Sequence, residues 1–447
     1  MLKLLTRLSD EMEEKLIQTR RDLHRFPELG WTEYRTASLV ARRLAALGWE
    51  VGLGREVHRE EDRMGVPDAD TLAAAWQRAH DQGGDPEMLA LLKGGPTGVV
   101  GSLRNGDGPA IALRFDMDAL PIPESQSEEH RPRREGFASR NPGVMHACGH
   151  DGHTSAGLGV AEVLAQVKED LRGTVKLVFQ PAEEGVRGAR SMVGAGVADD
   201  VDYLIGHHLY PGWALGEAIC GMGGYAATKK FDAVLKGAPS HAGASPHGGK
   251  NALLAAATAV LNLYAIPRHG GGATRVNVGR MEAGSGRNVI PAEARLVIET
   301  RGATSELSDY MYAQAVRVLE AATAMYGCGL EIVPMGAAPS ANSDPALTQR
   351  AQKMARRCGF YRCHPAAPSG GSEDLAYFMR RVQERGGEAV SIGFGADLLG
   401  ISLAEQEDDG RVLRAHTDVF DFDERVLRLM VRLLSALTLD LMGQQGG

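Results

Sequence analysis

Four short stretches of the chain concentrate side chains that bind metal ions or move protons. They are Met145-His146-Ala147-Cys148-Gly149-His150-Asp151-Gly152-His153, Gln180-Pro181-Ala182-Glu183-Glu184-Gly185, Gly206-His207-His208-Leu209-Tyr210-Pro211 and Ala415-His416-Thr417-Asp418. A thiol and an imidazole two residues apart, two adjacent carboxylates and further imidazoles make a donor set suited to a divalent transition metal. The adjacent glutamates fit a division of labour, in which one carboxylate binds metal while its neighbour, pointing elsewhere, takes a proton from an activated water. Taken singly, a buried cysteine is more often structural, and a Glu-Glu pair on a loop is more often solvated. The four clusters together argue for a metal site, with His146, His153 and His207 either supporting it or playing no part. A zinc ribbon is excluded, because Cys148, Cys220, Cys328, Cys358 and Cys363 contain no closely spaced pair before residue 358, and the last two have no partner pair.

Such side chains converge only if their loops share one crevice, which happens at the carboxyl ends of strands in an open α/β sheet. The pattern provides for this. Trp49 to Leu53, Gly98 to Leu103, Ala110 to Phe115 and Val175 to Phe179 read as strands, Glu33 to Leu47 and Thr154 to Leu164 as helices. Asn105-Gly106 and Asp107-Gly108 predict a hairpin between the second and third of these strands. Residues about 54–93 are charged and helical in pattern and read as an insertion. From Tyr225 to about Met335 the order becomes β-α-β-β-α-β, the grammar of a ferredoxin-like sandwich. The expected organisation is a doubly wound α/β domain over residues 1–224 and 336–447, interrupted by a second domain over 225–335.

Composition agrees with an ordinary globular enzyme. The 447 residues are enough for two or three domains and a large core; 43% are hydrophobic and 24% charged. The formal charge of -8 and the lack of a basic run argue against a nucleic-acid platform. Five scattered cysteines are no disulfide framework, and Met1 to Arg21 reads as an amphipathic helix without an apolar core and cleavage site. Ala252 to Ile266 is too short for a membrane span of about 20 residues. A cytoplasmic protein is expected, with no nucleic-acid or membrane partner.

The run His146 to Thr154, with Phe179 to Gly185, His208 and His416 to Glu424, resembles the aminoacylase-like branch of the metallopeptidase M20 family across essentially the whole chain. Within that branch, Gly54-Arg55-Glu56-Val57 through Met64-Gly65, Gly284-Ser285-Gly286-Arg287-Asn288-Val289 and Phe420-Asp421-Phe422-Asp423-Glu424 are similar to members that split p-aminobenzoyl-glutamate. The resemblance implies a zinc-peptidase-like catalytic domain with an inserted dimerisation lid. It also implies a metal-dependent amidohydrolase that releases p-aminobenzoate and glutamate from this folate breakdown product. The alternatives are a general N-acyl-amino-acid deacylase or dipeptidase, or a non-catalytic partner subunit; the intact ligand and base positions argue against the last.

Residue by residue, the resemblance implies two metal ions bridged by Cys148, one held also by His150 and His208, the other by Glu184 and His416, with Glu183 as general base. His241 would reach from the lid into a partner subunit's site to stabilise the oxyanion, and Arg287, Asn288 and Arg301 would bind the substrate carboxylate. Asp116 would orient the site from behind the ligands. A thiolate favours Zn(II) by softness, while the resemblance implies Mn(II), which we favour. A homodimer, or a heterodimer with a related subunit, is expected. Around His416, relatives often carry two adjacent histidines and an asparagine where this chain has Ala415-His416-Thr417-Asp418. Ser372, Glu373 and Asp374 match another motif of the branch and have no assigned role.

Overall fold

The computed structural model describes residues 1–364, 371–398 and 415–443. Eight strands form one mixed sheet: β1 (Glu50–Leu53), β2 (Val99–Asn105), β3 (Ala110–Asp116), β4 (Gly173–Gln180), β5 (Tyr203–Ala214), β6 (Glu217–Cys220), β11 (Arg362–His364) and β12 (Glu388–Asp397). Their order is β1-β2-β4-β3-β5-β12-β6-β11. The centre, β4-β3-β5-β12, is parallel, and packed layers cover both faces, as the apolar runs require.

The expected hairpin between β2 and β3 does not form. The chain reverses after Asn105, but β4 lies between the two strands, antiparallel to β2 and parallel to β3. The start of β4 is wedged against the turn, where a Cβ on Gly173 would lie 2.2 Å from the Pro109 carbonyl oxygen. Turn chemistry fixed the reversal, while buried strands with fuller apolar pairing decided the neighbours.

The helix His150–Gln166 crosses one face of the sheet, buried over nearly its whole length between the helices Glu13–Arg25 and Val426–Leu441. It approaches closely because Gly157 has no side chain; a Cβ there would stand 2.8 Å from the rings of Phe115 and Phe179. Its start is set by Gly149, at φ 99°, a left-handed conformation open to glycine.

A second, four-stranded antiparallel sheet has the order β10-β7-β9-β8, with β7 (Ala227–Lys236), β8 (Thr274–Ala283), β9 (Glu293–Gly302) and β10 (Gly329–Ala338). Ala294, Leu296 and Ile298 alternate inward along β9 and pack with Phe231, Leu235, Ala256, Met311 and Leu319 beneath the helices Ala252–Tyr264 and Ser305–Met325. This is the ferredoxin-like arrangement, with β8 and β10 as edges. No helix among the described residues is long and apolar enough to cross a membrane.

A buried polar knot joins the chain's two ends to the start of the central helix. Arg20, fully buried, bonds Asp151 (2.8 Å), Asp421 (3.1 Å) and Glu424 (3.2 Å), between the rings of Phe137 and Phe422. His24 bonds Asp151 at 2.8 Å and Glu124 at 3.0 Å, and His130 bonds the same Glu124 oxygen at 2.8 Å. Burial pushes the Glu124 carboxyl up, but the bonds from His130 and His24 prevail and hold it at about 2. A depressed carboxyl contributes stability that is complete above its ordinary value of 4.5 and is lost as the pH falls towards about 2. The unfolding free energy in urea should therefore fall more steeply between about pH 5 and pH 2 in the wild type than in Glu124→Gln. Parallel pH profiles would show that Glu124 carries no such linkage.

Candidate metal centre

The clusters meet where β5 parts from β3. Their pairing stops at Leu113 and Ile205, while β5 runs on beside β12, with Gly393 opposite His208. His208 thus lies within a strand rather than on a loop after it, and faces the crevice opened beyond the last β3–β5 pair. Cys148 and His150 come from the start of the central helix, Glu183 and Glu184 from the loop after β4, and His416 from a turn tied to Ala147 by a 2.7 Å backbone bond.

Donor atoms of Cys148, His150 and His208 lie within 4.8 Å of one another, as do those of Cys148, Glu184 and His416, so the two triads share the sulfur. Cys148 Sγ is 3.4 Å from His208 Nε2, and His416 Nε2 is 3.4 Å from Glu184 Oε1. Glu183 Oε2 is 4.0 Å from His150 Nε2. The imidazoles are aimed from behind: His150 Nδ1 donates to the Asp118 carbonyl at 2.8 Å, and His208 Nδ1 to the Leu209 carbonyl at 2.6 Å, which leaves each Nε2 for the crevice. Among the described residues His150 Nε2 and Glu184 Oε1 are buried without a hydrogen-bond partner, as suits atoms that would ligate a cation.

The thiol and the imidazoles of the donor set shift one another in opposite directions. Burial opposes ionisation of Cys148, but His208 and His150 hold its thiol well below the usual range. Against the cost of burial, Cys148 raises His208 to about 9. Close contact with Cys148 and Glu184 raises His416 to about 10. Burial, then Glu373, Glu184 and Asp374, push Glu183 well above the carboxylate range.

Behind the donors, Asp116 accepts bonds from His153 and from Arg114 at 2.6 Å and stands 3.7 Å from His150 Nε2. His153 in turn accepts from the Leu209 backbone at 3.0 Å. His146 and His207 are buried, with both ring nitrogens unpaired. Sequence reasoning missed Asp118, whose two oxygens each accept at 2.9 Å from the backbone N–H groups of Glu183 and Glu184. It also missed Arg114, which bonds Asp116, Gln180, Glu373 and Asp374. Burial disfavours the Arg114 charge, but Glu373, Asp116 and Asp374 keep it protonated. The available signal was the alternation Arg114, Asp116, Asp118 at the end of an otherwise apolar strand. The unassigned Glu373 and Asp374 lie beside Glu183, and Asp374 also accepts from the N–H groups of Gly188 and Ala189.

His241, Arg287 and Asn288 gather on the second sheet's exposed loops: His241 bridges to Val289, and Ala242 N donates to the Asn288 carbonyl at 2.9 Å. No bond joins them to the donor cluster among the described residues. Arg301 lies at the other end of β9, paired with Glu299 at 2.9 Å, and does not join this group.

The chain belongs to peptidase family M20/M25/M40, whose family model matches residues 112–409, and is a hydrolase acting on amide bonds. It is 46% identical to indole-3-acetyl-aspartic acid hydrolase of Enterobacter agglomerans, covering 99% of each chain. It is also 46% identical to one of the subunits of p-aminobenzoyl-glutamate hydrolase from Escherichia coli (strain K12), covering 98% of each. The crystal structure of an aminobenzoyl-glutamate utilization protein from Klebsiella pneumoniae superposes with a TM-score of 0.83 at 40% identity, covering 99% of each chain. A dinuclear metal binding peptidase of the M20 family from Bacillus subtilis gives 0.65 at 27% identity, covering 97% of this chain and 99% of that one. Divalent metal at the crevice accords with both the family and the donor set.

The thiolate can be tested directly. Burial raises the thiols of Cys220 and Cys358 to about 12 and also raises those of Cys328 and Cys363, so thiolate absorbance of metal-stripped protein at neutral pH should come from Cys148. His208→Ala should move that titration upward; an unmoved titration would show that this imidazole does not hold the thiolate.

Proposed function

We propose that this protein hydrolyses p-aminobenzoyl-glutamate, releasing p-aminobenzoate and glutamate, with Cys148, His150, Glu184, His208 and His416 holding two divalent ions and Glu183 acting as general base. The observation that carries the reading is the pair of donor triads sharing Cys148, with the Glu183 carboxylate beside them but outside both. When bound, divalent ions there supply Lewis-acid polarisation of the scissile carbonyl and acidify water. Glu183 accepts a proton at a carboxylate oxygen from the water that attacks the carbonyl carbon, then returns it to the nitrogen as the C–N bond breaks. Its raised proton affinity suits both transfers. Mn(II) is the ion favoured by the family resemblance, and Zn(II) is the alternative that the thiolate and imidazole donors suit. The five free cysteines support a reducing, cytoplasmic setting.

The residues at 225–335 act in this reading as an inserted lid. His241 Nδ1 accepts from the N–H groups of Gly243 (3.2 Å) and Ala244 (3.0 Å), so Nε2 carries the proton and is free to donate to an oxyanion in a neighbouring protomer. Arg287 and Asn288, beside it, suit the substrate carboxylate; Arg301 would need its own contact across the dimer to join them. The partner is a second copy or a related chain, the latter supported by the Escherichia coli relative, whose name makes it one of several subunits. Equal identity to an indole-3-acetyl-aspartic acid hydrolase favours a second reading, cleavage of that aspartate conjugate. Parallel assays with Mn(II) on both conjugates, hippurate and acetylated amino acids decide; no turnover of p-aminobenzoyl-glutamate would refute the first.

Glu183→Gln should abolish turnover with metal content near wild type, since the amide keeps the shape but accepts no proton; activity near wild type would remove it as base. Mixing Glu183→Gln with His241→Ala protein should restore part of the activity, because a mixed dimer contains one site with both groups. Loss of one such donor typically lowers the rate by roughly 10² to 10³. Mixed dimers confirmed by native mass measurement yet inactive would show that His241 does not act across the dimer.

A further inference from the structure

The two glutamates sit on a loop whose shape the local sequence does not favour. Ala182 and Val186 have φ of 52° and 61°, in the left-handed region that residues with a Cβ seldom adopt, least of all a β-branched one. The loop closes on itself: Val186 N donates to the Glu183 carbonyl at 2.6 Å, and Arg187 N and Gly188 N donate to the Ala182 carbonyl at 3.1 and 2.9 Å. A backbone of this kind persists where its surroundings over-determine it. Asp118 accounts for the N–H groups of Glu183 and Glu184, and Asp374 for those of Gly188 and Ala189. A further hold comes from a turn more than a hundred residues earlier in the chain.

Glu33, fully buried, accepts from Ala182 N at 2.8 Å through Oε1 and from Thr97 Oγ1 at 2.6 Å through Oε2. It belongs to neither donor triad, and no step of the reaction uses it. The same turn presses on the loop a second time. Gly30 lies against it so closely that a Cβ would stand 2.3 Å from Arg187 Nη2 and 3.0 Å from Ala182 Cα. Across that gap Arg187 donates to the Glu184 carbonyl at 3.0 Å and to the Gly65 carbonyl, in the helical insertion, at 3.1 Å.

We propose that Glu33 is a positioning residue of the hydrolytic site: its hydrogen bond to Ala182 N fixes the left-handed turn that separates the directions of Glu183 and Glu184, one towards the reacting water and the other towards metal. This rests on the roles given above to those two glutamates. Gly30 packs against the same loop, and Arg187 ties that loop to Gly65, which gives the Met64-Gly65 stretch a part in the site.

The bond can be removed or kept. Glu33→Gln retains an oxygen for Ala182 N, and its amide can donate to the Thr97 hydroxyl; Glu33→Ala retains neither. In the full-length, metal-loaded protein, Glu33→Ala should lower kcat about 10- to 100-fold, as for a misplaced catalytic group, with KM within about twofold. Glu33→Gln should stay within about threefold of wild type. With Co(II) in the site, the visible spectrum should change in Glu33→Ala and remain wild-type-like in Glu33→Gln, because Glu184 rides on the same loop. That reading needs no substrate, so it still tests Glu33 if wild-type protein fails to cleave p-aminobenzoyl-glutamate and the functional reading falls. Wild-type kcat or an unchanged Co(II) spectrum in Glu33→Ala overturns the proposal, as does equal loss in both variants. Should Glu33→Ala not fold, amide hydrogen exchange of the wild type reads the same bond: slow exchange at Ala182 is expected, and exchange as fast as in an open loop overturns it.

Discussion

Burying like charges together is the constraint on which this architecture turns. Glu183, Glu184, Glu373, Asp374, Asp116 and Asp118 share one crevice, and two unit charges 4 Å apart still repel by about 4 kcal/mol at an effective dielectric of 20. Arg114 meets part of that demand from beneath, bonding Asp116, Glu373 and Asp374. Backbone N–H groups of the 182–189 loop meet another part at Glu33, Asp118 and Asp374. The share left over, with burial as its first cause, pushes up Glu183 and Glu184 and also raises Glu33 to about 8 and Asp374 to about 7.

The same balance of charge fixes the frame around the site. Asp151, next to His150, is turned away from the crevice to Arg20 and His24, so the helix that delivers Cys148 and His150 is anchored to the first and last segments of the chain. Breaking such a pair on one side leaves an unpaired charge in the interior, a loss of about 3 to 5 kcal/mol. The anchoring therefore couples the position of the donor atoms to closure of the whole domain.

The second sheet is tied to the site at one place of obvious consequence. Ala337 N, on β10, donates to the Val186 carbonyl at 2.9 Å, and Gly336 lies so near the Gly185 carbonyl oxygen that a Cβ would come within 2.1 Å. The loop bearing the two glutamates thus touches the second sheet, the Met64-Gly65 stretch and the early turn through Glu33. Left-handed φ values at Trp31, Ala182, Val186 and His416 mark the same region and show where packing overrides local preference.

The candidate donors were legible in the order of residues alone. Donor types at Cys148, His150, Glu184, His208 and His416, the Glu-Glu pair, and the change of grammar after Tyr225 could all be read, because they rest on residue identity and short-range period. Neighbour relations could not. Placing β4 between β2 and β3 depends on long-range strand pairing that no local turn signal encodes, and His208 lies within a strand because β5 outlasts its pairing with β3. Glu33 carries no local signal, Arg114 and Asp118 show only as charges at the end of an apolar strand, and Asp374 stands out only as part of a motif without a role; tertiary contact turns them inward, where a buried carboxylate must find donors and a buried guanidinium must find acids.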